Sequence, residues 1–167
     1  MMITLDSVER TLALGSELGN RLRAGDLVIL SGSLGAGKTT LTKGIASGMG
    51  VSGRVTSPTF VIARVHRPTA DDARTVPLVH VDAYRLAGAV ELDDLDLDTD
   101  LDAAAVVIEW GEGVAERLSD DRLIVELVRL PDDTRTARLT AVGDTWPARV
   151  TEILTAIDAA GISYGSE

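Results

Sequence analysis

The stretch GSLGAGKT at residues 32–39 fits the pattern G-x-x-x-x-G-K-[ST] at every fixed position. This pattern describes a loop whose backbone N–H groups wrap a phosphate chain, while its lysine reaches the outer phosphates and its last hydroxyl ligates Mg²⁺. The apolar run at residues 26–31 has the length of a buried strand, and residues 40–49 carry apolar side chains at helical spacing. Strand, glycine-rich loop and helix are the context that the motif requires, so the sequence predicts a nucleotide-phosphate site here.

Length and composition indicate a single domain. The chain has 167 residues, of which 45% are hydrophobic and only 3% aromatic. A chain of this length can bury one substantial core, and that core must be built from Leu, Val, Ile and Ala.

The charge balance and the absence of cysteine exclude several classes of function. The formal net charge is −10, so the chain should be repelled by phosphate backbones and by anionic membranes, and unaided tight binding of nucleic acid is not expected. The lack of cysteine excludes disulfides and thiolate metal sites. The N-terminal residues lack the features of a signal peptide, and no apolar run has the length of a membrane span. We expect a soluble cytoplasmic protein that has no contact with membranes.

Helix and strand signals alternate along the chain. Residues 6–9 have the spacing of a capping box that begins with Asp6. The first helix that follows has a predicted inward face formed by Val8, Leu12, Leu18 and Leu22. Further strands are predicted at residues 59–66, 76–82, 103–109, 123–129 and 135–142, the last two as a hairpin, and a final helix at residues 146–160. The pattern predicts an α/β fold: one three-layer P-loop NTPase-like domain over residues 1–160, with a mixed parallel and antiparallel sheet flanked by helices. Residues 161–167 are predicted to form a frayed tail.

Two acidic residues stand where predicted strands end. Asp82 and Glu109 each follow an apolar run. In α/β folds of this kind ligands bind at the carboxyl ends of the strands. Phosphoryl transfer needs a held Mg²⁺ and a group that positions the attacking water. Either acid could serve as a magnesium ligand or as a water-positioning base, and the alternative is that each is a solvated turn residue.

Four motifs together resemble the TsaE family, the small bacterial ATPase of tRNA threonylcarbamoyladenosine biosynthesis. They are GSLGAGKTT at 32–40, SPTF at 57–60, HVDAYRL at 80–86 and IEWGE at 108–112. The resemblance implies an Mg²⁺-dependent ATPase that acts as a nucleotide switch on a transferase formed by TsaD-like and TsaB-like partners. The tRNA would be contacted mainly through those partners. The resemblance also implies ATP rather than GTP, and the chain has no N-K-x-D motif of the kind that reads guanine. Intrinsic hydrolysis is expected to be slow, because no arginine finger is evident.

The resemblance also implies roles for individual residues. Lys38, Asp82 and Glu109 would be catalytic, with Asp82 as the Walker-B-like carboxylate and Glu109 completing the magnesium or water site. The Mg²⁺ ligands would come from Thr39, Asp82 and Glu109. The nucleotide would be bound by Gly32, Gly35, Ala36, Gly37, Lys38, Thr39, Thr40, Thr59, Trp110 and Arg135, with Ser7 or Thr11 near the base. Thr59 would belong to a loop that responds to the nucleotide.

The sequence departs from the family pattern at two positions and leaves two other functions open. Ser33 stands where the family usually has Asp, and Ala83 where Leu is more usual. One alternative is a small phosphate-loop kinase whose lid, residues 64–75, would carry Arg64, Arg67 and Arg74. The other is a nucleotide-binding scaffold without turnover, for which Ser33 is the only indication.

Three further features have simpler interpretations. The acidic segment at residues 91–102 lacks the glycine and the glutamate of a calcium loop and is interpreted as a solvated surface. His66 is interpreted as a surface residue. His80 is interpreted as a strand residue hydrogen-bonded to a neighbour.

Overall fold

A computed structural model describes residues 1–53, 55–56, 63–69, 76–85, 102–113 and 115–165. The helices in this part of the chain are α1 (Val8–Gly19), α2 (Lys38–Gly48) and α3 (Trp146–Ala159). The strands are β1 (Met2–Leu5), β2 (Leu27–Ser31), β3 (Ala63–His66), β4 (Leu78–Asp82), β5 (Ala105–Glu109), β6 (Arg122–Arg129), β7 (Arg135–Val142) and β8 (Tyr164–Gly165). Single 3-10 turns cover Ala83–Arg85 and Glu116–Leu118.

The described strands form one mixed sheet in the order β3-β4-β5-β2-β6-β7-β1-β8. The central strands β4, β5, β2 and β6 are parallel, and the flanking pairs are antiparallel. The α/β class and the mixed sheet predicted from the sequence are therefore confirmed. The register of the parallel strands places Asp82 opposite Glu109 and Glu109 opposite Leu30. The ends of β2, β4 and β5 thus meet at one edge of the sheet, where the glycine-rich loop begins.

The two faces of the sheet bury separate apolar clusters. The cluster shared with α1, α2 and α3 includes Val28, Leu30 and Val107 from the central strands. The cluster on the opposite face includes Ile29 and Ile108. Because strand side chains alternate between faces, Glu109 follows Val107 on the helix-covered face, which places its carboxylate towards α2.

Helices α1 and α2 are in direct backbone contact through glycines. A Cβ atom on Gly15 would overlap the carbonyl oxygen of Leu41, and one on Gly44 would overlap the carbonyl oxygen of Leu12. The buried stripe of α1 is Thr11, Leu14, Gly15, Leu18 and Gly19, whereas Val8 is 52% exposed. The prediction that Val8 lies on the inward face is therefore wrong. Gly15 and Gly19 pack against α2 without an apolar side chain, so hydrophobic periodicity does not indicate that they face inward.

Replacing Gly44 with alanine should destabilise the fold although alanine favours helix by about 1 kcal/mol. The new methyl group would also lie only 2.9 Å from the Cα atom of Gly15, so the two helices must separate. Overpacking of this kind costs about 1–3 kcal/mol, and we expect a net loss in the free energy of unfolding, measured with urea. The control is Ser47→Ala at an exposed position of α2. A Gly44→Ala protein as stable as Ser47→Ala would contradict the helix contact.

Two predictions near the chain ends are wrong. The N-cap of α1 is Ser7 rather than Asp6: the Arg10 N–H donates to Ser7 Oγ at 3.2 Å, while Asp6 pairs with the Arg10 side chain. The tail is not frayed at residues 162–165. Ile162 is buried, the Thr4 N–H donates to the Ser163 carbonyl, and Tyr164 lies opposite Ile3. Strand β7 pairs with one edge of β1, and these residues pair with the other edge, which would otherwise be left open.

The remaining predictions agree with the structure where it describes them. The hairpin of β6 and β7 and the helix α3 are confirmed. The strands predicted at residues 76–82 and 103–109 begin two residues later, and the strand predicted at 59–66 is observed at Ala63–His66. Residues 59–62, most of the acidic segment and Arg74 lie outside the described residues. In the described part of the chain, none of the helices has the length and apolar character needed to cross a bilayer.

Candidate active site

The glycine-rich loop joins β2 to α2 through backbone angles that favour glycine. Gly32, Gly35 and Gly37 have φ angles of 133°, 79° and 108°. A side chain at Gly32 would in addition overlap the Leu127 carbonyl oxygen of β6. The N-cap of α2 is Gly37, and because glycine has no side chain, no side-chain cap occupies the first N–H groups of the helix. The N–H groups at the start of α2 therefore face the loop, which is the arrangement that binds anions at helix N-termini.

The Lys38 side chain is buried within this loop. Its amine donates to the carbonyl oxygens of Gly32 at 2.6 Å and Ser33 at 3.0 Å, and it lies 3.6 Å from the centre of the Trp110 ring. Burial lowers the pKa of Lys38, and the nearby carboxylates of Glu109 and Asp82 partly oppose that shift. The loop therefore holds a cation in a low-polarity setting, where its attraction for an anion is strong.

Three side chains converge on the carboxylate of Glu109, which is only 2% exposed. His80 Nε2 lies 2.8 Å from Oε1. The Thr42 hydroxyl lies 3.5 Å from the same oxygen but donates to the Lys38 carbonyl oxygen at 3.0 Å. The Thr39 hydroxyl donates to Oε2 at 3.2 Å. A buried carboxylate needs such donors because burial without them is costly. Thr39 and Glu109, which the sequence predicts as magnesium ligands, are thus in direct contact.

Asp82 occupies a more open position at the end of β4. It is half-buried, and its carboxylate accepts a hydrogen bond of 3.0 Å from the Tyr84 N–H in the following 3-10 turn. Tyr84 in turn packs against Trp110, with ring centres 5.1 Å apart. The two carboxylates therefore share one edge of the sheet, with Glu109 deeply held and Asp82 nearer to solvent.

A cavity of about 490 Å³ unites these groups, a size typical of small-molecule sites. It is lined by Val8, Thr11, Leu34, Gly35, Gly37, Lys38, Thr39, Thr40, Asp82, Tyr84, Glu109, Trp110 and Arg135. Most of the residues predicted for the site therefore lie around one space.

Three predicted site residues are placed elsewhere, and a fourth is not described. Gly32 and Ala36 shape the loop without lining the cavity, and Ala36 is fully buried in the core. Ser7 caps α1, so its hydroxyl is used by the Arg10 N–H. Thr59 lies outside the described residues.

Arg135 reaches the cavity from the hairpin of β6 and β7. Its guanidinium donates to the Asp133 carbonyl oxygen at 2.6 Å. The Asp133 carboxylate is hydrogen-bonded by Arg129, whose guanidinium lowers the pKa of that carboxyl. Two of the three arginines of the proposed lid, Arg64 and Arg67, are described, and they do not line the cavity.

Sequence reasoning missed several residues that the structure brings to the site. Val8 and Leu34 add apolar surface to the cavity, although Leu34 is 89% exposed. Thr42 and His80 reach Glu109 from α2 and β4. Periodicity could have indicated the last two. Thr42 lies three residues beyond Thr39 on a helix, and His80 lies two residues before Asp82 on a strand, so each shares a face with a predicted site residue.

His66 is buried, so its interpretation as a surface residue is wrong. Its side chain is on β3, 3% exposed, with Nδ1 3.3 Å from the Ser52 carbonyl oxygen and the ring centre 6.4 Å from that of His80. Burial lowers the pKa of His66 from its usual 6.5; the hydrogen bond with the Ser52 carbonyl oxygen opposes this shift, and His80 and Arg64 add smaller contributions that lower the pKa. A lone histidine near charged residues gave no sequence signal of this burial.

The buried His66 should make the fold sensitive to mild acid. The unfolded chain binds a proton at the usual histidine pKa of 6.5, whereas folded His66 resists protonation. Stability is therefore full above that pH and is lost as pH falls through the depressed folded pKa. We expect His66→Asn to flatten the dependence of the free energy of unfolding on pH between about 7 and 5. Parallel pH profiles for the two proteins would show that His66 does not contribute.

Comparison with known proteins identifies the family. The family model described as "Threonylcarbamoyl adenosine biosynthesis protein TsaE" matches residues 5–137. A Streptomyces coelicolor protein named "tRNA threonylcarbamoyladenosine biosynthesis protein TsaE" is 53% identical over 146 residues, covering 84% of this chain and 97% of that protein. The Mycobacterium tuberculosis (strain H37Rv) protein of the same name is 59% identical over 141 residues, covering 80% and 83%.

A solved structure agrees with this result. The crystal structure of Bacillus subtilis YdiB superposes with a TM-score of 0.75 at 29% identity, covering 93% of this chain and 95% of that one. The fold, the motif-bearing cavity and the relatives lead to the same conclusion. The chain belongs to the TsaE family.

Proposed function

We propose that this protein is an Mg²⁺-dependent, ATP-binding ATPase subunit required for threonylcarbamoyladenosine modification of tRNA. It would act as a nucleotide switch on a transferase built from TsaD-like and TsaB-like proteins. The observation that carries the proposal is that Lys38, Thr39, Asp82 and Glu109 all line one cavity at the carboxyl ends of parallel strands. The relatives named for this tRNA modification support the pathway.

The residues at the cavity suit a nucleotide. The N–H groups at the start of α2 would bind the phosphates, and Lys38 would exchange its loop carbonyls for phosphate oxygens, a stronger charge-assisted contact. Val8 and Leu34 offer apolar surface, and Thr11 a hydroxyl, near the same space. Arg135 supplies a second cation for the nucleotide.

The oxygen groups at the site also suit Mg²⁺. This ion prefers oxygen ligands and is usually held by one or two carboxylates together with water and substrate phosphates. The Thr39 hydroxyl and Glu109 Oε2 offer two such oxygens in contact with each other. The described residues contain no group of three or more His, Cys, Asp or Glu that could hold a metal by itself. Bound Mg²⁺ would neutralise charge on the phosphates.

The resemblance implies that Asp82 is also a magnesium ligand, but of the two carboxylates it is the better placed to orient an attacking water. It is half-buried beside the same cavity, whereas Glu109 is only 2% exposed and contacts Thr39. A carboxylate at that position would accept a hydrogen bond from the water and aim it at the terminal phosphate. Turnover by the isolated chain should be slow, and the partner proteins would raise it.

The charge of the chain fits a division of labour with its partners. A net charge of −10 opposes direct binding of tRNA, so the partners would provide most of the contact with it. The nucleotide state of this subunit would control its association with the transferase. ATP binding or hydrolysis would then reset the transferase for another round.

Calorimetric titration with ATP, ADP and GTP, with and without Mg²⁺, tests the nucleotide part of the proposal. We expect adenine nucleotides to bind more tightly in the presence of Mg²⁺. A phosphorylated small-molecule product would establish the kinase alternative instead. Binding without hydrolysis, even with partners and Mg²⁺ present, would establish the scaffold alternative.

A further inference from the structure

The two oxygens of the Glu109 carboxylate have different partners. Oε1 contacts His80 Nε2 at 2.8 Å and the Thr42 hydroxyl at 3.5 Å. Oε2 contacts the Thr39 hydroxyl at 3.2 Å. One oxygen is thus held from the interior of the domain, and the other faces the first turn of α2, beside the cavity.

His80 reaches Oε1 from a rigid position. It lies in the middle of β4, paired with Val107 of β5 on one side and with Arg64 of β3 on the other. The side chain is 1% exposed. A carboxylate oxygen accepts hydrogen bonds, so the proton of this bond resides on Nε2.

The other ring nitrogen argues against a role in packing alone. His80 Nδ1 is buried and has no hydrogen-bond partner in the described part of the structure. An unpaired buried polar atom costs free energy, and an apolar side chain of similar size would avoid that cost. Among the described residues, the ring makes its hydrogen bond to Glu109 alone, so this contact explains why a histidine occupies the position.

We propose that His80 is a positioning residue that fixes Glu109 Oε1 and so directs Oε2 towards Thr39 and the Mg²⁺ of the bound nucleotide. Thr42 is also 3.5 Å from this oxygen, but its hydroxyl donates to the Lys38 carbonyl oxygen at 3.0 Å, so His80 is the donor to Oε1 among the described residues. This inference rests on the proposed function for the role of Mg²⁺, but the hydrogen bond itself is a property of the ligand-free protein. Groups that hydrogen-bond to a metal ligand, at the atom facing away from the metal, commonly change metal affinity when they are replaced.

Two amide variants of His80 provide a matched pair. In His80→Gln the amide nitrogen reaches the position of Nε2 and can donate to Oε1, whereas in His80→Asn it falls short by one methylene. Both side chains are polar amides at the same buried position, so they differ mainly in how far the amide nitrogen extends towards Glu109. His66→Asn, at the neighbouring buried histidine, is the control for placing an asparagine in this part of the core.

The main readout is the ratio of the ADP dissociation constant measured without Mg²⁺ to that measured with Mg²⁺. This ratio depends on Mg²⁺ binding and not on turnover. We expect His80→Asn to reduce this ratio by about tenfold, while His80→Gln and His66→Asn stay near wild type. ADP affinity without Mg²⁺ should be unchanged in all of them. Equal losses in His80→Asn and His80→Gln, or no loss in His80→Asn, would overturn the proposal. If His80→Asn does not fold, the proton on Nε2 of His80 in the wild-type protein decides the proposal: its presence supports the proposal and its absence overturns it.

A second readout separates this inference from the proposed function. The chain has two histidines, so a spectrum of the ¹⁵N-histidine-labelled, ligand-free protein contains two rings. We expect a solvent-protected proton on Nε2 of His80 and a proton on Nδ1 of His66. Absence of the Nε2 proton would refute the hydrogen bond whether or not the protein hydrolyses ATP. Its presence in a protein that binds no nucleotide would refute the proposed function and leave the hydrogen bond established.

Discussion

Replacing Lys38 with alanine is expected to abolish ATP hydrolysis, with a loss of at least about 100-fold. Lys38 is the cation that the glycine-rich loop holds against its own carbonyl oxygens, and it is the group that would meet the outer phosphates. Alanine removes that charge and leaves the helix and the loop glycines in place. The measurement is phosphate release, with and without the partner proteins, together with ATP affinity.

Lys43 offers a matched control for this variant, because it is the other lysine of the chain. It lies on the same helix, five residues further on, and is exposed. Lys43→Ala should hydrolyse ATP like wild type, and both variants should unfold at similar denaturant concentrations. ATP turnover by Lys38→Ala within a few fold of the Lys43→Ala value would show that the loop does not act on phosphates.

Glu109→Gln and Asp82→Asn are expected to fail in different ways. Glu109 contacts Thr39 and is deeply buried, so its amide variant should lose both Mg²⁺-dependent nucleotide affinity and turnover. Asp82 is nearer to solvent, so its amide variant should retain Mg²⁺-dependent affinity while turnover falls by about 100-fold or more. The measurements are nucleotide affinity as a function of Mg²⁺ and single-turnover hydrolysis.

The control for the removal of a carboxylate is Glu152→Gln on α3, where the side chain is 65% exposed. It should match wild type in both measurements. Equal losses of Mg²⁺ affinity in Glu109→Gln and Asp82→Asn would contradict distinct roles for the two acids. Unchanged turnover in both variants would remove these residues from the reaction.

Much of the fold followed from local patterns in the sequence. The glycine-rich loop lies between an apolar strand and a helix, and the acids after two other strands come to lie in register, Asp82 opposite Glu109. This was predictable because apolar runs mark where the parallel strands end, and side-chain alternation determines which residues share a face of the sheet. Arg135 was different: only the family resemblance indicated it, because its path to the cavity depends on how the hairpin of β6 and β7 packs.

The features that the sequence did not predict depend on contacts between distant segments. Gly15 and Gly44 pack two helices backbone to backbone, and hydrophobic periodicity cannot detect a contact without side chains. Ile162 and Tyr164 are ordered by the core and by the edge of β1, which no local signal marks. His80 was predicted as a hydrogen-bonded strand residue, but its partner, Glu109, is distant in sequence and became evident only in the folded sheet.

The central claim is that nucleotide turnover at the Lys38 loop drives a tRNA-modifying assembly. Its most direct test is reconstitution with TsaD-like and TsaB-like partners, ATP, Mg²⁺ and unmodified tRNA, following modified tRNA over many rounds. We predict that wild type sustains repeated modification and that its ATP turnover rises with the partners, whereas Lys38→Ala supports neither. Normal accumulation of modified tRNA with Lys38→Ala, or partners that leave the turnover of the wild-type protein unchanged, would contradict the account.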